Sequence, residues 1–327
     1  MKIAVIHDYA DALRHTRAYP KLQGHEVVIY NDAYTDPARV VGQVNGCDAL
    51  LLTQQRVTVT RTILEQLPQL KFISQTGRNA SHLDVAACTD LGILVSAGGH
   101  DSASPYTTTG ELAWALILAA LRHVPYEVDR FKQGHWHSTI GTRLYGHTLG
   151  IYAFGHIGGG VARVGRAFGM NVVCWGREGS LAQAHAEGFA AATSREAFFE
   201  QSDVISLHIK SNQSTHGIIT AADLARMKPA SLLVNTSRAP IIAEGALVAA
   251  LEKGRPGFAA VDVYEEEPVV GASHPLLKMK NALCTPHLGY SESGSYEHVY
   301  EGGVEQLLAY AAGKPINVLN PEAAGIK

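Results

Sequence analysis

The stretch Thr148–Glu178, TLGIYAFGHIGGGVARVGRAFGMNVVCWGRE, constrains this chain most. An apolar run, Leu149–Phe154, ends in glycines. Val161–Met170 then carries apolar residues at helical spacing, and a β-branched run, Val172–Trp175, follows. Strand, glycine turn, helix and strand in about thirty residues is the layout of a dinucleotide-binding βαβ unit. Gly155 lets the backbone approach a pyrophosphate, and Gly158 lets the helix pack on the strand. The unpaired N–H groups of the first helical turn then face the phosphates. His156 and Ile157 lie inside that turn. Ala153 stands where G-x-G-x-x-G has its first glycine, and a methyl group is tolerable there if φ stays negative. Alone, the stretch names a cofactor class and no reaction.

The rest of the chain supplies a context for it. A length of 327 residues predicts two domains. Before the glycine stretch, strand-like runs occupy Lys2–Ile6, His25–Tyr30, Asp48–Leu52, Lys71–Ser74 and Ile93–Ser96. Their near-continuous apolar character is that of parallel strands covered on both faces. Helical segments alternate with them near Asp11–Tyr19, Pro37–Val44, Thr60–Leu67 and Leu83–Leu91, with Thr58 or Thr60 as a cap for the third. Gly98–Tyr106 has the composition of a loop or hinge, Thr109–Arg122 of a buried helix, and Gly134–Leu144 of a surface excursion. After the glycine stretch, strands are expected at Asp203–Leu207, Ser231–Asn235, Phe258–Val263 and Ala282–Thr285. Helices fit Leu181–Glu187, Arg195–Glu200, Ala221–Met227, Ala243–Lys253 and Tyr296–Ala312, with a polar tail around Pro315–Pro321. The fold class is therefore α/β, with two doubly wound parallel sheets.

Several functions are disfavoured. Net charge is −3 and Lys and Arg form no long block, which argues against nucleic acid or an anionic membrane as partner. No apolar run reaches the roughly 18 residues of a membrane span. Cys47, Cys88, Cys174 and Cys284 lack metal-ligand spacing, so we expect reduced core residues in a cytoplasmic protein and no metal.

Three strand ends carry chemistry: Asn235-Thr-Ser-Arg-Ala-Pro240, Asp262-Val-Tyr-Glu-Glu-Glu-Pro268 and Thr285-Pro-His287. Taken singly, Arg238 is a surface cation, Glu267 a solvated loop charge and His287 a loop histidine. Together they have a joint use. Arg238 holds a substrate carboxylate by paired hydrogen bonds. His287 exchanges a proton with the neighbouring carbonyl or hydroxyl, and Glu267 orients the imidazole and favours its protonated form.

With AFGHIGGGVA, SDVISLHIKSNQSTHGIIT, MKPASLLVNTSRAPII, AAVDVYEEEP and CTPHLGY in this order, the chain resembles the D-isomer-specific 2-hydroxyacid dehydrogenases from about Lys71 onward. The resemblance implies a Rossmann NAD(P)-binding domain, residues 105–289, inserted into a flavodoxin-like substrate domain, residues 1–104 and 290–327, with the substrate between lobes. It makes Arg238 the carboxylate binder, Glu267 the relay acid and His287 the acid/base, and sets Asp262 at the nicotinamide amide. Gly77, Arg78 and Asn79 fall on the loop that grips the carboxylate. His208, Ile209, Lys210, Thr215, Thr236, Ser237 and Gly289 fall beside the cofactor. A homodimer is also implied, with Trp136 either a contact in it or packed on its own lobe. Candidate substrates are glyoxylate, hydroxypyruvate, other short 2-keto acids and 3-phosphoglycerate.

The chain departs from the family at the adenosine end. The usual aspartate after the second strand is Gly176, followed by Arg177 and Glu178, and the usual H-x-P is His208-Ile209-Lys210. Losing a carboxylate and gaining cations favours a 2′-phosphate, hence NADP(H) over NAD(H), although Glu178 is placed to take the ribose. Arg56, at a strand end, and Arg78 are candidates for reading a second anionic group on the substrate; a solvated or acid-paired Arg56 is the alternative. Two rival functions are a formate-type dehydrogenase, which Glu267 disfavours, and an NAD(H)-sensing corepressor-like protein, which the lack of an interaction tail disfavours.

Overall fold

A computed structural model describes residues 1–98 and 108–324. The chain divides into two compact units, Met1–Ala103 with Glu292–Lys327, and Ser104–Ser291. The expected hinge Gly98–Tyr106 lies, apart from Gly98, outside the described residues.

The first unit is built on β1 (Lys2–Ile6), β2 (Glu26–Ile29), β3 (Ala49–Leu52), β4 (Phe72–Gln75) and β5 (Leu94–Ala97). All pairings are parallel and the order is β2-β1-β3-β4-β5, the flavodoxin-like doubly wound order. Because side chains alternate across a strand, β4 serves both faces. Ile73 joins Leu50, Leu52 and Val95 against the helices Pro37–Val44 and Val85–Asp90. On the other face lies the helix Ser293–Ala311. Phe72 stacks on Tyr310 with centroids 4.2 Å apart, and the Ser74 hydroxyl donates to the Gly303 carbonyl at 2.9 Å. A β-carbon at Gly303 would come within 2.8 Å of Leu51, so this contact needs glycine.

The second unit holds β6 (Thr148–Tyr152), β7 (Asn171–Trp175), β8 (Ala190–Ala191), β9 (Val204–Leu207), β10 (Leu232–Asn235), β11 (Phe258–Val261) and β12 (Ala282–Cys284). Their order, β12-β11-β10-β9-β6-β7-β8, is again all parallel and reverses between β6 and β9. This is the Rossmann order with an added strand. One face packs Phe198, Phe199, Leu224 and Leu247 on Ile205, Leu207 and Leu233. The other packs Trp114, Ile117, Val161 and Ala162 on Leu149, Ile151 and Val234. Cys47, Cys88 and Cys174 are buried and Cys284 half-buried, all free thiols within or beside the sheets.

The structure corrects two expectations, a helix and a cap, and adds elements that were not expected. Asp11–Tyr19 is not an α-helix but two 3-10 turns, Leu13–His15 and Tyr19–Leu22. The buried Asp8 carboxylate takes the N–H groups of Ala12 and Leu13, each at 2.9 Å, and Asp11 lies at φ +52°. A helix at Val124–Lys132 is not among the expected ones, and its apolar side chains Val124, Val128 and Phe131 are all exposed; β8 has only two residues. Thr60 occupies the N-cap of Arg61–Leu64 without a side-chain capping bond. The tail at Pro315–Pro321 is not loose. Val318 bridges antiparallel to Ser96 at the β5 edge. The buried Asn320 accepts the Val95 N–H at 2.8 Å and donates to the Ile93 carbonyl at 3.0 Å. An otherwise open sheet edge is thereby covered.

Candidate active site

The glycine turn joins β6 to the helix His156–Ala167, with Gly155 as N-cap. A β-carbon at Gly155 would meet nothing within 4 Å, leaving open space before the first helical turn. That turn has no intrahelical acceptor for the N–H groups of His156, Ile157 and Gly158. At Gly158 a β-carbon would fall 2.3 Å from the Ala153 carbonyl oxygen, so only glycine lets the helix sit this close. Ala153 itself adopts φ +73°, against the expectation of a negative φ. Its N–H is drawn to the Trp175 carbonyl at 2.7 Å and its own carbonyl accepts the Gly155 N–H at 3.1 Å. A left-handed alanine costs about 1–2 kcal/mol, which these bonds and the packing offset.

Around this turn, Arg177 is the exposed N-cap of the helix Glu178–Ala186, whose first residue, Glu178, is also exposed. Lys210 is exposed and Ile209 buried. His208 bonds Ser206 through Nε2 at 2.9 Å, and desolvation lowers its pKa to about 4, leaving a neutral ring. Thr215 serves its own loop, donating to the Lys210 carbonyl and accepting the Asn212 N–H. At the end of β10, Ser237 donates to the Leu207 carbonyl at 2.7 Å. Thr236 is buried with an unpartnered hydroxyl. An open glycine cradle, free helix-end donors and an orphaned hydroxyl are what a dinucleotide would satisfy, so the residues fit that cofactor.

The proposed catalytic side chains come from the ends of β10, β11 and β12. Arg238 is exposed, and its Nη1 donates to the Ser237 carbonyl at 2.6 Å. The Nε/Nη2 edge is therefore the one suited to a carboxylate. His287 Nδ1 lies 2.5 Å from Glu267 Oε2, while Glu267 Oε1 accepts the Tyr264 N–H at 2.8 Å. With Nδ1 committed, Nε2 is the ring nitrogen available for proton exchange.

Asp262 is fully buried, with a pKa raised by desolvation against the pull of its hydrogen bonds. Its carboxylate accepts from Thr285 Oγ1 at 2.6 Å and from the Leu288 and Gly289 N–H groups at 2.7 and 2.9 Å. It thus holds the loop that carries His287. Gly289 is locked further by Thr108 and Thr109, which donate to its carbonyl at 2.7 and 2.9 Å. Tyr264, Thr285, Thr108 and Thr109 support the site without having stood out in the sequence. Only the spacing of Tyr264, three residues before Glu267, hinted at a side chain returning to the backbone.

In the first unit, Arg56 is half-buried and donates to the His7 carbonyl and to the Tyr296 hydroxyl, the latter at 3.0 Å. Its guanidinium carbon lies 4.5 Å from the Tyr9 ring centroid. Gly77, Arg78 and Asn79 follow β4; Gly77 is half-buried, Arg78 and Asn79 exposed, and Asn79 accepts the Ser81 N–H.

Comparison with known proteins identifies the family. Residues 114–289 match the family model of the D-isomer specific 2-hydroxyacid dehydrogenase, NAD binding domain. The chain is 34% identical over 311 residues to glyoxylate reductase of Aeropyrum pernix, covering 90% of each. It is 34% identical over 283 residues to D-3-phosphoglycerate dehydrogenase of Synechocystis, covering 85% of this chain and 49% of that one. The crystal structure of phosphoglycerate oxidoreductase from Vibrio cholerae superposes with a TM-score of 0.88 at 42% identity, covering 96% of this chain and 99% of the other. With a flavodoxin-like sheet, a Rossmann sheet and an Arg, Glu and His at successive strand ends, the chain belongs to the D-isomer-specific 2-hydroxyacid dehydrogenases, oxidoreductases of 2-hydroxy and 2-keto acids that use a nicotinamide cofactor.

Proposed function

We propose that the chain reduces short 2-keto acids, with glyoxylate and hydroxypyruvate as first candidates and 3-phosphoglycerate in the oxidative direction. The observation that carries this reading is the His287–Glu267 pair at 2.5 Å, anchored by the Tyr264 N–H. A dinucleotide held by its pyrophosphate at the glycine turn would supply or accept the hydride at its nicotinamide ring. Arg238 binds the carboxylate, and the Gly77–Asn79 loop is its proposed second grip. His287 presents Nε2 to the keto oxygen and gives it a proton, while Glu267 faces the imidazolium and fixes the ring. Turnover with a panel of 2-keto acids, run with NADH and NADPH, tests this reading; binding of cofactor without turnover of any acid would overturn it.

The adenosine end supports a preference for NADP(H). Gly176 carries no carboxylate, and Arg177 and Lys210 are exposed cations. A higher kcat/KM with NADPH than with NADH is expected, and the reverse ranking refutes it. Arg56 and Arg78 are the cations proposed to read a second anionic group. Arg56→Ala is then expected to raise KM for a phosphorylated acid while sparing glyoxylate, and equal effects on both would count against it.

A homodimer is supported by a run of exposed apolar side chains. Val124, Tyr126, Phe131, Trp136 and Ile140 are 46–95% exposed on the Val124–Lys132 helix and the segment after it. Exposed apolar side chains gathered in this way are the kind of surface that a second copy would cover. Sedimentation at micromolar concentration is expected to show a dimer, dissociated by Phe131→Ser with Trp136→Ser; a monomeric parent protein refutes it.

A further inference from the structure

The loop after β7 and the glycine turn after β6 are joined by one side chain. Ser180, third residue of the helix Glu178–Ala186, accepts the Phe154 N–H on its hydroxyl at 2.6 Å. Phe154 is 2% exposed, so that N–H has no water to fall back on. It precedes the Gly155 N-cap and follows the left-handed Ala153. Ser180 thus pins the middle of the turn from the helix whose N-cap is Arg177.

Gly176 belongs to the same contact. A β-carbon there would lie 3.1 Å from Ser180 Oγ and 3.4 Å from Ala153 Cα. To make room the hydroxyl would have to shift by a few tenths of an ångström while holding the Phe154 N–H. The bare position at 176 therefore leaves the serine bond uncrowded, besides removing a carboxylate from this loop.

We propose that Ser180 is a positioning residue of the dinucleotide site. It couples the loop that receives the adenosine 2′-substituent to the turn that receives the pyrophosphate, and Gly176 and Ser180 form a matched pair. The inference rests on the proposal that a nicotinamide dinucleotide occupies the glycine turn. It goes further by making affinity at both ends depend on a residue that touches neither.

The test is fluorescence titration of the full chain with NADH and NADPH, together with steady-state kinetics on the best 2-keto acid of the panel. Ser180→Ala is expected to weaken both cofactors about tenfold, because binding must then re-form a turn that the buried hydrogen bond no longer holds in place, with kcat at saturating cofactor within about twofold of the parent. Ser180→Thr, which keeps the hydroxyl, restores affinity. Gly176→Asp weakens NADH as well as NADPH, since the new side chain crowds the serine. Parent-like affinity in Ser180→Ala, a Ser180→Thr no better than Ser180→Ala, or a Gly176→Asp that gains NADH affinity overturns the proposal. Failure of the unmodified protein to bind either cofactor overturns the dinucleotide reading itself and this inference with it, and shows before any variant is made.

Discussion

Glu267 touches the imidazole with one oxygen and the Tyr264 backbone with the other, so it does two jobs through one carboxylate. Glu267→Gln keeps the shape and removes the charge that faces a protonated His287. We expect kcat for keto-acid reduction to fall about a hundredfold with KM little changed, the range of a general acid–base contribution. Arg238→Lys keeps a charge but loses the paired donors, and should act on KM for the acid first. Steady-state kinetics on both variants separates the two roles, and a pure KM effect in Glu267→Gln would contradict the assignment. Ala153 gives a prediction of the opposite sign. Its φ of +73° suits glycine. Ala153→Gly relieves the strain but adds unfolded-chain entropy, for a net gain of about 0.5–1 kcal/mol. Calorimetry should show a melting temperature higher by about 1–2 °C, and a lower one would mean that the methyl group packs favourably.

The pairing of β6 with the helix His156–Ala167 depends on the 2.3 Å approach at Gly158. The obstacle is a backbone oxygen, which cannot rotate away. Gly158→Ala must lift the helix or twist the turn, costing about 1–3 kcal/mol and moving the phosphate-facing N–H groups. Dinucleotide binding should drop more than tenfold in titration, and an alanine variant that binds normally would show that helix and strand can separate freely. This element was legible in the sequence because its glycines, periodicity and flanking strands all demand one geometry. The strand ends carrying Arg238, Glu267 and His287 were legible for a similar reason: each follows a short apolar run that polar residues stop abruptly. What escaped depends on partners distant in sequence. The left-handed Ala153 follows from the Trp175 carbonyl, the 3-10 turns after β1 from the Asp8 carboxylate, and the tail pairing from Asn320. Arg195 shows the same limit. It is a surface-type residue in the sequence, yet it bonds Asp223 with two nitrogens at 2.8 and 2.7 Å and the Tyr152 hydroxyl at 2.9 Å, tying two helices to β6.

Across the molecule, acid acts on imidazoles whose pKa desolvation lowers: His7 and His82 in the first unit and His208 in the second. His7 is 1% exposed after β1. Desolvation, helped by the Arg56 charge, lowers its pKa to about 4. His208 is lowered to about 4 by desolvation alone. Both are neutral in the folded chain at pH 5, whereas an unfolded chain protonates them near pH 6.5. Between those values the unfolded state binds more protons, so stability is full above about pH 6.5 and falls as pH drops towards 4. For His7 the loss from pH 7 to pH 5 is about 2 kcal/mol. Asp223 behaves differently: Arg195 and Thr220 hold it below the usual carboxylate value despite desolvation. Its contribution persists above pH 4 and disappears only in stronger acid. Mild acid therefore probes the histidines alone among these groups. Denaturant unfolding at pH 7, 6 and 5 should show a steady decline in the parent chain. In His7→Gln, which cannot titrate there, the decline is shallower by about 2 kcal/mol over the same interval. An unchanged slope in that variant would mean that His7 gains its proton in the folded chain as readily as in the unfolded one, and that the Tyr9 and Tyr34 rings around it do not keep water away.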